Sequence, residues 1–384
     1  MRFDFATSRH ILFGRGTVQE VPDAAAALGA RVLLVSGRNQ ERSEPLAESL
    51  RKAGLVVARL AIAGEPTVAA ACAGARLARS ESCRVVVAMG GGSAIDAGKA
   101  IAALATNKGD PLDYLEVIGR GQPLKEPSLP CIAIPTTAGT GSEVTRNAVL
   151  AAPEQRVKVS LRSPNLLPRL AVVDPELTLD APPAVTASTG LDALTQLIEP
   201  YVSLRANPLT DLFCLEGVRL VARSLIDAVR DGRDLEARTD MAMASLLGGL
   251  ALANAGLGVV HGFAAPIGGM FPAPHGATCA ALLPFGMEVN LRALRLRPSE
   301  VNALLRFETL AQVLNADKYA RPEQAVAWVA RACRQLEIPG LRAYGVTEKD
   351  LPEIVEKASR ANSMKANPIA LSTEELTDVV FHAL

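Results

Sequence analysis

The first half of the chain alternates short apolar runs, rich in β-branched residues, with alanine-rich stretches of helical character. Polar residues scarcely interrupt these apolar runs, which is typical of strands that are buried on both faces. Buried strands separated by helices predict a parallel, doubly wound sheet. The predicted strands are Val32–Val35, Leu55–Ala58, Arg84–Met89 and Cys131–Pro135.

The pattern changes near Asp174, and from about Pro182 the apolar residues recur at spacings of three and four. This period indicates amphipathic helices. The predicted helices are Val185–Leu197, Asp211–Val229, Leu235–Ala253, Pro322–Gln335 and Leu351–Ala361. Ser372 and Glu375 form a capping box that predicts the start of a last helix. We therefore predict an α/β domain over residues 1–178 and an all-helical domain over residues 179–384.

The composition narrows the classes of function. Of 384 residues, 49% are hydrophobic and 21% are charged, with 40 Lys and Arg against 40 Asp and Glu. This balance predicts no binding to nucleic acid or to an anionic membrane. We expect a cytoplasmic protein, because the N-terminus lacks an export signal and no apolar stretch is long enough to span a bilayer. The six scattered cysteines contain no CxxC pair, which indicates buried thiols rather than thiolate zinc or redox motifs.

A glycine-rich turn follows the third predicted strand. Its sequence, MGGGSAIDAGK over residues 89–99, opens directly into a predicted helix. Successive glycines let the backbone approach a ligand closely, and Ser93 could cap the helix, whose positive end would face a phosphate. The turn has neither the GxGxxG nor the Walker A spacing, so a glycine-rich turn without a ligand is the alternative.

A second polar loop, PTTAGTGSEVT over residues 135–145, follows the fourth predicted strand. Its hydroxyls and glycines suit hydrogen bonds to phosphate and ribose, although an ordinary Ser/Thr-rich turn would look the same. Two such loops at the carboxyl ends of parallel strands point to one crevice, where open α/β sheets bind their ligands.

One acid and two histidines beyond the domain boundary could bind a divalent metal. Asp192 and Gln196 are one helical turn apart and share a face of the first long helix. His261 and His275 lie in glycine-flanked segments downstream. Carboxylate and imidazole are typical ligands of iron and zinc. The histidines are far apart in sequence, so a pair of ordinary core histidines is the alternative.

These motifs together resemble the iron-containing (group III) alcohol dehydrogenases, almost from end to end. The motifs that carry the resemblance are GGGSAIDAGKAIA, PTTAGTGSEVT, VDPELT, TGLDALTQLIEPYVS and the HGFAAPIGG…PHG block. The resemblance implies a dehydroquinate synthase-like architecture, with an N-terminal dinucleotide-binding α/β domain and an all-α metal and substrate domain. It also implies an NAD or NADP cofactor, a small-molecule alcohol or carbonyl substrate and a homodimer.

The resemblance also assigns roles to individual residues. The positions that match the family's cofactor loops and ribose-side lysine are Gly91, Gly92, Ser93, Thr136, Thr140, Thr145 and Lys158. Asp192, His261 and His275 match three of the family's four metal ligands, and the two histidines are the expected catalytic residues.

Two positions depart from the family pattern. The fourth ligand is usually a histidine, but Gln196 stands there, and a histidine of the catalytic pocket is replaced by Ala265. An amide oxygen is a weaker ligand for iron or zinc than imidazole, so we expect weak retention of Fe²⁺ or Zn²⁺ by Asp192, Gln196, His261 and His275.

The sequence therefore predicts an NAD(P)-dependent alcohol dehydrogenase acting on CH–OH groups, assisted by a divalent metal. One alternative resembles the maleylacetate reductases: a metal-independent carbonyl reductase, in which His261 or His275 polarises the carbonyl by a hydrogen bond. Another is a nucleotide-binding protein without activity. No acid follows the first predicted strand, where Gly37 and Arg38 stand, so we expect NADP to be tolerated, unless Arg38 is only solvated.

Overall fold

A computed structural model describes residues 2–297 and 302–384. The chain divides into two compact units. The first unit, an α/β unit, comprises Thr7–Thr137 and Gly141–Leu179, and the second, a helical unit, comprises Asp180–Leu384 with the N-terminal residues up to Ala6 and the short segment Ala138–Thr140.

The α/β unit is built on a parallel sheet. Its strands are β1 (Ile11–Phe13), β2 (Arg31–Gly37), β3 (Val56–Ile62), β4 (Val85–Gly90), β5 (Cys131–Pro135), β6 (Asn147–Ala152), β7 (Val157–Arg162) and β8 (Leu170–Val173). Within the described residues, six of them form one parallel sheet in the order β1-β8-β5-β4-β2-β3, while β6 and β7 form an antiparallel pair. The predicted parallel sheet is confirmed.

Four helices accompany the sheet in the described part of the α/β unit. They are α1 (Val21–Ala26), α2 (Glu44–Lys52), α3 (Val68–Ser80) and α4 (Gly92–Thr106). Helix α4 packs so closely on β4 that a Cβ atom placed on Gly98 would lie only 2.5 Å from the Cβ of Ala88. Both β4 and β5 are buried along their whole length, as their uninterrupted apolar sequences predict.

The helical unit contains one large apolar core. Its helices are α5 (Pro183–Val202), α6 (Pro208–Arg230), α7 (Leu235–Ala255), α8 (Val259–Met270), α9 (His275–Leu296), α10 (Ala303–Asn315), α11 (Pro322–Gln335), α12 (Leu351–Ser359) and α13 (Thr373–His382). The capping box of Ser372 and Glu375 is present at the start of α13. The all-helical prediction is confirmed for this part of the chain.

No single helix among residues 2–297 and 302–384 is long and apolar enough to cross a membrane. Only α7 and α8 taken together would suffice in length and composition, and they meet at an angle of 99°.

Candidate functional site

The glycine-rich turn and the second polar loop meet at the carboxyl edge of the parallel sheet. Gly90, the last residue of β4, is paired with Pro135 at the end of β5, and its carbonyl accepts a hydrogen bond from the Thr136 N–H at 2.9 Å. A Cβ atom on Gly91 would lie 3.4 Å from the hydroxyl oxygen of Thr137. The two loops therefore converge, as the sequence predicts, at an edge where α/β proteins bind nucleotides.

The start of helix α4 differs from the prediction in one detail. Gly91 occupies the N-cap position, Gly92 is the first helical residue, and no side chain caps the helix, so the expectation that Ser93 does so is wrong. Gly90 has a φ of +156°, and a Cβ atom there would lie 2.7 Å from the Cβ of Ala94. The turn is thus shaped by backbone alone, and the positive end of a fifteen-residue helix follows it directly.

A buried lysine connects helix α4 to the second polar loop. Lys99 is 1% exposed, and its Nζ donates to the Ser142 carbonyl at 2.8 Å and to the Thr145 hydroxyl at 3.0 Å. The same Nζ lies 3.1 Å from a carboxylate oxygen of Asp96, one helical turn away. Because its hydroxyl accepts the bond from Lys99, Thr145 holds this loop in place within the protein interior.

The other cofactor positions lie in different surroundings. The side chain of Lys158 is 3% exposed, and its Nζ pairs with Glu65 at 3.0 Å. Thr140 belongs by its contacts to the helical unit, unlike Thr136 and Thr145. The structure therefore brings Gly91, Thr136 and their immediate neighbours together at one edge of the sheet.

Four side chains of the helical unit form a compact cluster of metal-ligand atoms. They are Asp192 on α5, His261 on α8, and His275 and Cys279 on α9, and their ligand atoms all lie within 4.8 Å of one another. An Asp192 oxygen lies 3.5 Å from Nε2 of His261 and 3.7 Å from Nε2 of His275. The Cys279 Sγ lies 3.9 and 3.7 Å from the same two nitrogens. Three helices thus deliver carboxylate, imidazole and thiol to one point.

The cluster contains buried acceptors without a donor. Asp192 is fully buried, and within the part of the chain that the structure describes neither of its oxygens has a hydrogen-bond partner of acceptable geometry. The amide oxygen of Gln196, one turn further along α5, has none either. A buried, unpaired carboxylate is costly, and a bound cation is the usual compensation. The residues present therefore fit a divalent metal.

The electrostatics of the cluster keep Asp192 ionised. Burial alone would raise the pKa of Asp192, but the neighbouring histidines lower it to about 2. Burial alone would lower the pKa of His261 and of His275, yet Cys279 and Asp192 raise both pKa values overall. The site thus gathers positive charge around an ionised Asp192, and a metal would take over that role once the imidazole protons leave.

Glu199 orients one of the histidines. One of its carboxylate oxygens lies 2.7 Å from Nδ1 of His261, and the other accepts a hydrogen bond from the Val260 N–H at 2.7 Å. The carboxylate therefore fixes the imidazole with Nε2 towards the cluster, as carboxylates commonly do for metal-bound histidines. Asp192, Gln196 and Glu199 lie at i, i+4 and i+7 on α5, a spacing that could have revealed Glu199 from the sequence.

Cys279 is the second residue that sequence reasoning missed. It was grouped with the scattered buried thiols, whereas it lies one helical turn after His275 on the same face of α9. Its i, i+4 spacing from a candidate ligand is the signal that could have identified it. The three ligands Asp192, His261 and His275 that the sequence singled out do come together.

The family comparisons follow the same division of the chain. Residues 8–175 match the family model described as iron-containing alcohol dehydrogenase, and residues 186–384 match the model of the C-terminal part of the same family. The chain belongs to the iron-containing alcohol dehydrogenase family. It is accordingly an oxidoreductase that interconverts an alcohol with an aldehyde or ketone.

Individual relatives of this alcohol dehydrogenase match along nearly their whole length. The 1,3-propanediol dehydrogenase of Klebsiella pneumoniae is 36% identical over 385 residues, covering 98% of this chain and 97% of that protein. The crystal structure of a 1,3-propanediol oxidoreductase is 34% identical, has a TM-score of 0.92 and covers both chains completely. A sulfoacetaldehyde reductase from Bifidobacterium kashiwanohense in complex with NAD⁺ is 28% identical, has a TM-score of 0.86 and covers 100% of this chain and 98% of that one. Together with the family, these relatives support NAD and a metal as cofactors.

Proposed function

We propose that this alcohol dehydrogenase oxidises a short-chain primary alcohol or diol to the aldehyde, and catalyses the reverse reaction, with a divalent metal bound by Asp192, His261 and His275. The buried donor cluster carries this proposal, since its ionised Asp192 has no hydrogen-bond partner within the described residues. Three protein ligands with one remaining position are typical of catalytic metal sites. The substrate class follows from relatives that act on propanediol and sulfoacetaldehyde.

A metal at this site would supply Lewis-acid polarisation of the substrate oxygen. The chain's own contribution is to preorganise the metal ligands in the metal-free protein. Glu199 keeps Nε2 of His261 towards Asp192, and the first turn of α9 presents His275. Asp192, His261 and Cys279 are buried, which limits the access of water to the cluster from their side.

We further propose that the α/β unit binds the nicotinamide dinucleotide and that the helical unit carries the metal and the substrate. The convergence of the turn at Gly91 with the loop at Thr136 supports the first part, because backbone N–H groups there lie beside the start of a helix. The matched lysine, Lys158, and the threonines Thr140 and Thr145 remain predicted contributors to cofactor binding. The homodimer implied by the family also remains a prediction.

A metal-independent carbonyl reductase is the second candidate. The raised pKa values of His261 and His275 favour it, since protonated imidazoles beside Asp192 are hydrogen-bond donors that could polarise a carbonyl. Fe²⁺ and Zn²⁺ are the metals proposed for the principal function.

The experiment that separates the two functions is chelation followed by reconstitution. We expect the purified protein to lose NAD(P)⁺-dependent oxidation of short-chain alcohols on dialysis against a chelator, and to regain it with Fe²⁺ or Zn²⁺, because the ligand cluster is needed for the chemistry. Bound metal is measured on the same samples. Full turnover in a protein that contains no metal would reject the principal proposal in favour of the metal-independent reductase.

The end of strand β2 allows a test of cofactor preference. Gly37 stands there, a Cβ atom on it would meet nothing within 4 Å, and the next residue, Arg38, is exposed. Dinucleotide folds that choose NAD often carry an acid after such a strand, which binds the ribose 2′-hydroxyl and repels a 2′-phosphate. We therefore expect the parent protein to accept NADP, with less than a hundredfold preference for NAD.

Replacement of Gly37 by aspartate is expected to weaken NADP binding at least about tenfold, or about 1.4 kcal/mol, while NAD binding is kept or improved. Fluorescence titration with NADH and NADPH measures both affinities. Asn39→Asp is the matched control, because it adds the same charge at an exposed position two residues further on. Equal loss of NADPH affinity in both variants would mean that position 37 does not face the ribose.

A further inference from the structure

We propose that the thiolate of Cys279 is the fourth metal ligand of this site and that the resulting ligand set selects Zn²⁺ over Fe²⁺. The proposal rests on the proposed metal-dependent function, and it gives position 196 a supporting role instead of a ligating one. Nothing in the spacing of the cysteines along the chain predicts a thiolate ligand, since the residue joins the cluster only through the folding of α5, α8 and α9 around it.

Four of the six separations between the ligand atoms are close to those of a tetrahedral site, and all six are within 4.8 Å. Metal–ligand distances of about 2.0 Å for oxygen and nitrogen and about 2.3 Å for sulfur place neighbouring tetrahedral ligands about 3.3–3.6 Å apart. The observed separations are 3.5 and 3.7 Å from the Asp192 oxygen to the two imidazole nitrogens, and 3.9 and 3.7 Å from the Cys279 sulfur to them. Movements of a few tenths of an ångström would close the cluster on a cation.

Charge balance favours the thiolate over the amide as the fourth ligand. An ionised Asp192, a thiolate at Cys279 and two neutral imidazoles neutralise a divalent cation completely. With the neutral amide of Gln196 in place of the thiolate, the ligand atoms would leave one positive charge on the metal, which only the Glu199 carboxylate behind His261 would offset. Gln196 lies one helical turn after Asp192 on α5, so its amide can instead support that carboxylate.

The ligand types then decide between the metals. Thiolate is a soft ligand, and tetrahedral sites that combine sulfur with nitrogen are characteristic of zinc. Two histidines with one carboxylate and open positions are characteristic of non-haem iron. By adding sulfur, Cys279 makes the ligand set resemble the first kind, and a substrate oxygen would then add as a fifth ligand, as catalytic zinc sites allow. Because His275 and Cys279 lie on one turn of α9, the helix itself fixes the distance between these two ligands.

Cobalt substitution gives a direct readout of sulfur ligation. We expect the full-length apoprotein, once loaded with Co²⁺, to show an intense thiolate-to-cobalt charge-transfer absorption in the near ultraviolet. Cys279→Ser should remove this absorption, whereas Gln196→Ala should keep it. Cys214→Ala is the matched control, since Cys214 is a buried cysteine of the same unit that lies on α6, outside the cluster. Circular dichroism verifies that each variant is folded.

Metal selectivity is measured separately by anaerobic competition with a chelator of known affinity. The parent should bind Zn²⁺ at least about a hundredfold more tightly than Fe²⁺, and Cys279→Ser should lower Zn²⁺ affinity at least about tenfold with a smaller effect on Fe²⁺. Failure to bind Co²⁺, a Co²⁺ protein without the charge-transfer absorption, or an absorption that survives Cys279→Ser would each overturn the proposal.

The outcomes also separate this inference from the proposed function. Metal-dependent alcohol turnover in a Co²⁺ protein without the absorption would reject the thiolate ligand and leave the function standing. An absorption that depends on Cys279, in a protein without turnover on any alcohol with either cofactor, would support the metal site and reject the function.

Discussion

Replacement of Asp192 by asparagine is expected to lower the affinity for a divalent metal at least about a thousandfold and to abolish metal-dependent turnover. The side chain is fully buried, and its negative charge directly opposes the positive charge of the metal. Removing one partner of a buried ion pair costs about 3–5 kcal/mol, and about 4 kcal/mol corresponds to the expected factor. Competition with a chelator measures the affinity.

The control for Asp192→Asn is Asp240→Asn, a carboxylate on α7 that pairs with Arg223 and lies outside the cluster. It should retain metal at the parent affinity. Thermal unfolding of both metal-free variants verifies that the fold is intact. Parent-like metal affinity in folded Asp192→Asn would show that the metal binds elsewhere.

Substitution of Gly98 by valine is expected to lower the free energy of unfolding by about 2–3 kcal/mol and to weaken cofactor binding at least about tenfold. A Cβ atom at this position would lie 2.5 Å from the Cβ of Ala88, a buried residue of the central strand β4 that cannot move aside. Helix α4 must therefore shift away from the sheet, and its first turn shifts with it. Chemical unfolding and titration with NADH measure the two effects.

Helix propensity alone predicts the opposite sign for this substitution, since valine is favoured over glycine in a helix by a few tenths of a kcal/mol. A stabilised Gly98→Val protein would therefore disprove the close packing of α4 on β4. Thr106→Val, at the half-buried last position of the same helix, is the control and should leave cofactor affinity unchanged.

Elements of the fold could be predicted from the sequence where a single local pattern, such as an apolar run or a capping box, determines them. Strand β5 and helix α11 begin and end where the apolar pattern places them, and the capping box of Ser372 marks the start of α13. Strands β1 and β8 are only three and four residues long, too short for a pattern to emerge. The antiparallel pair β6–β7 was missed because β6 alternates buried and half-buried residues, whereas the prediction rested on continuous apolar runs.

The site was predictable only in part, because its ligands converge from separate helices. Asp192, His261 and His275 could be named from residue type and family resemblance. Cys279 has a weaker signal, since it has no CxxC partner and only its i, i+4 spacing from His275 on α9 points to ligation. The helices α5, α8 and α9 each contain an internal proline, and such residues disguise helical segments in a sequence. The convergence of these ligands depends on how the three helices pack together, which the pattern of residues along the sequence does not specify.

Glu199 is expected to tolerate substitution less than positions 196 and 279 do. Its carboxylate both accepts the Val260 N–H in the first turn of α8 and orients His261 on that helix, so a mutation there would disturb backbone and ligand at once. Positions 196 and 279 present only side chains to the cluster. Metal preference in this lineage can therefore drift through those two positions while Glu199 stays fixed, and a directed-evolution library aimed at a new metal should vary them and leave Glu199 intact.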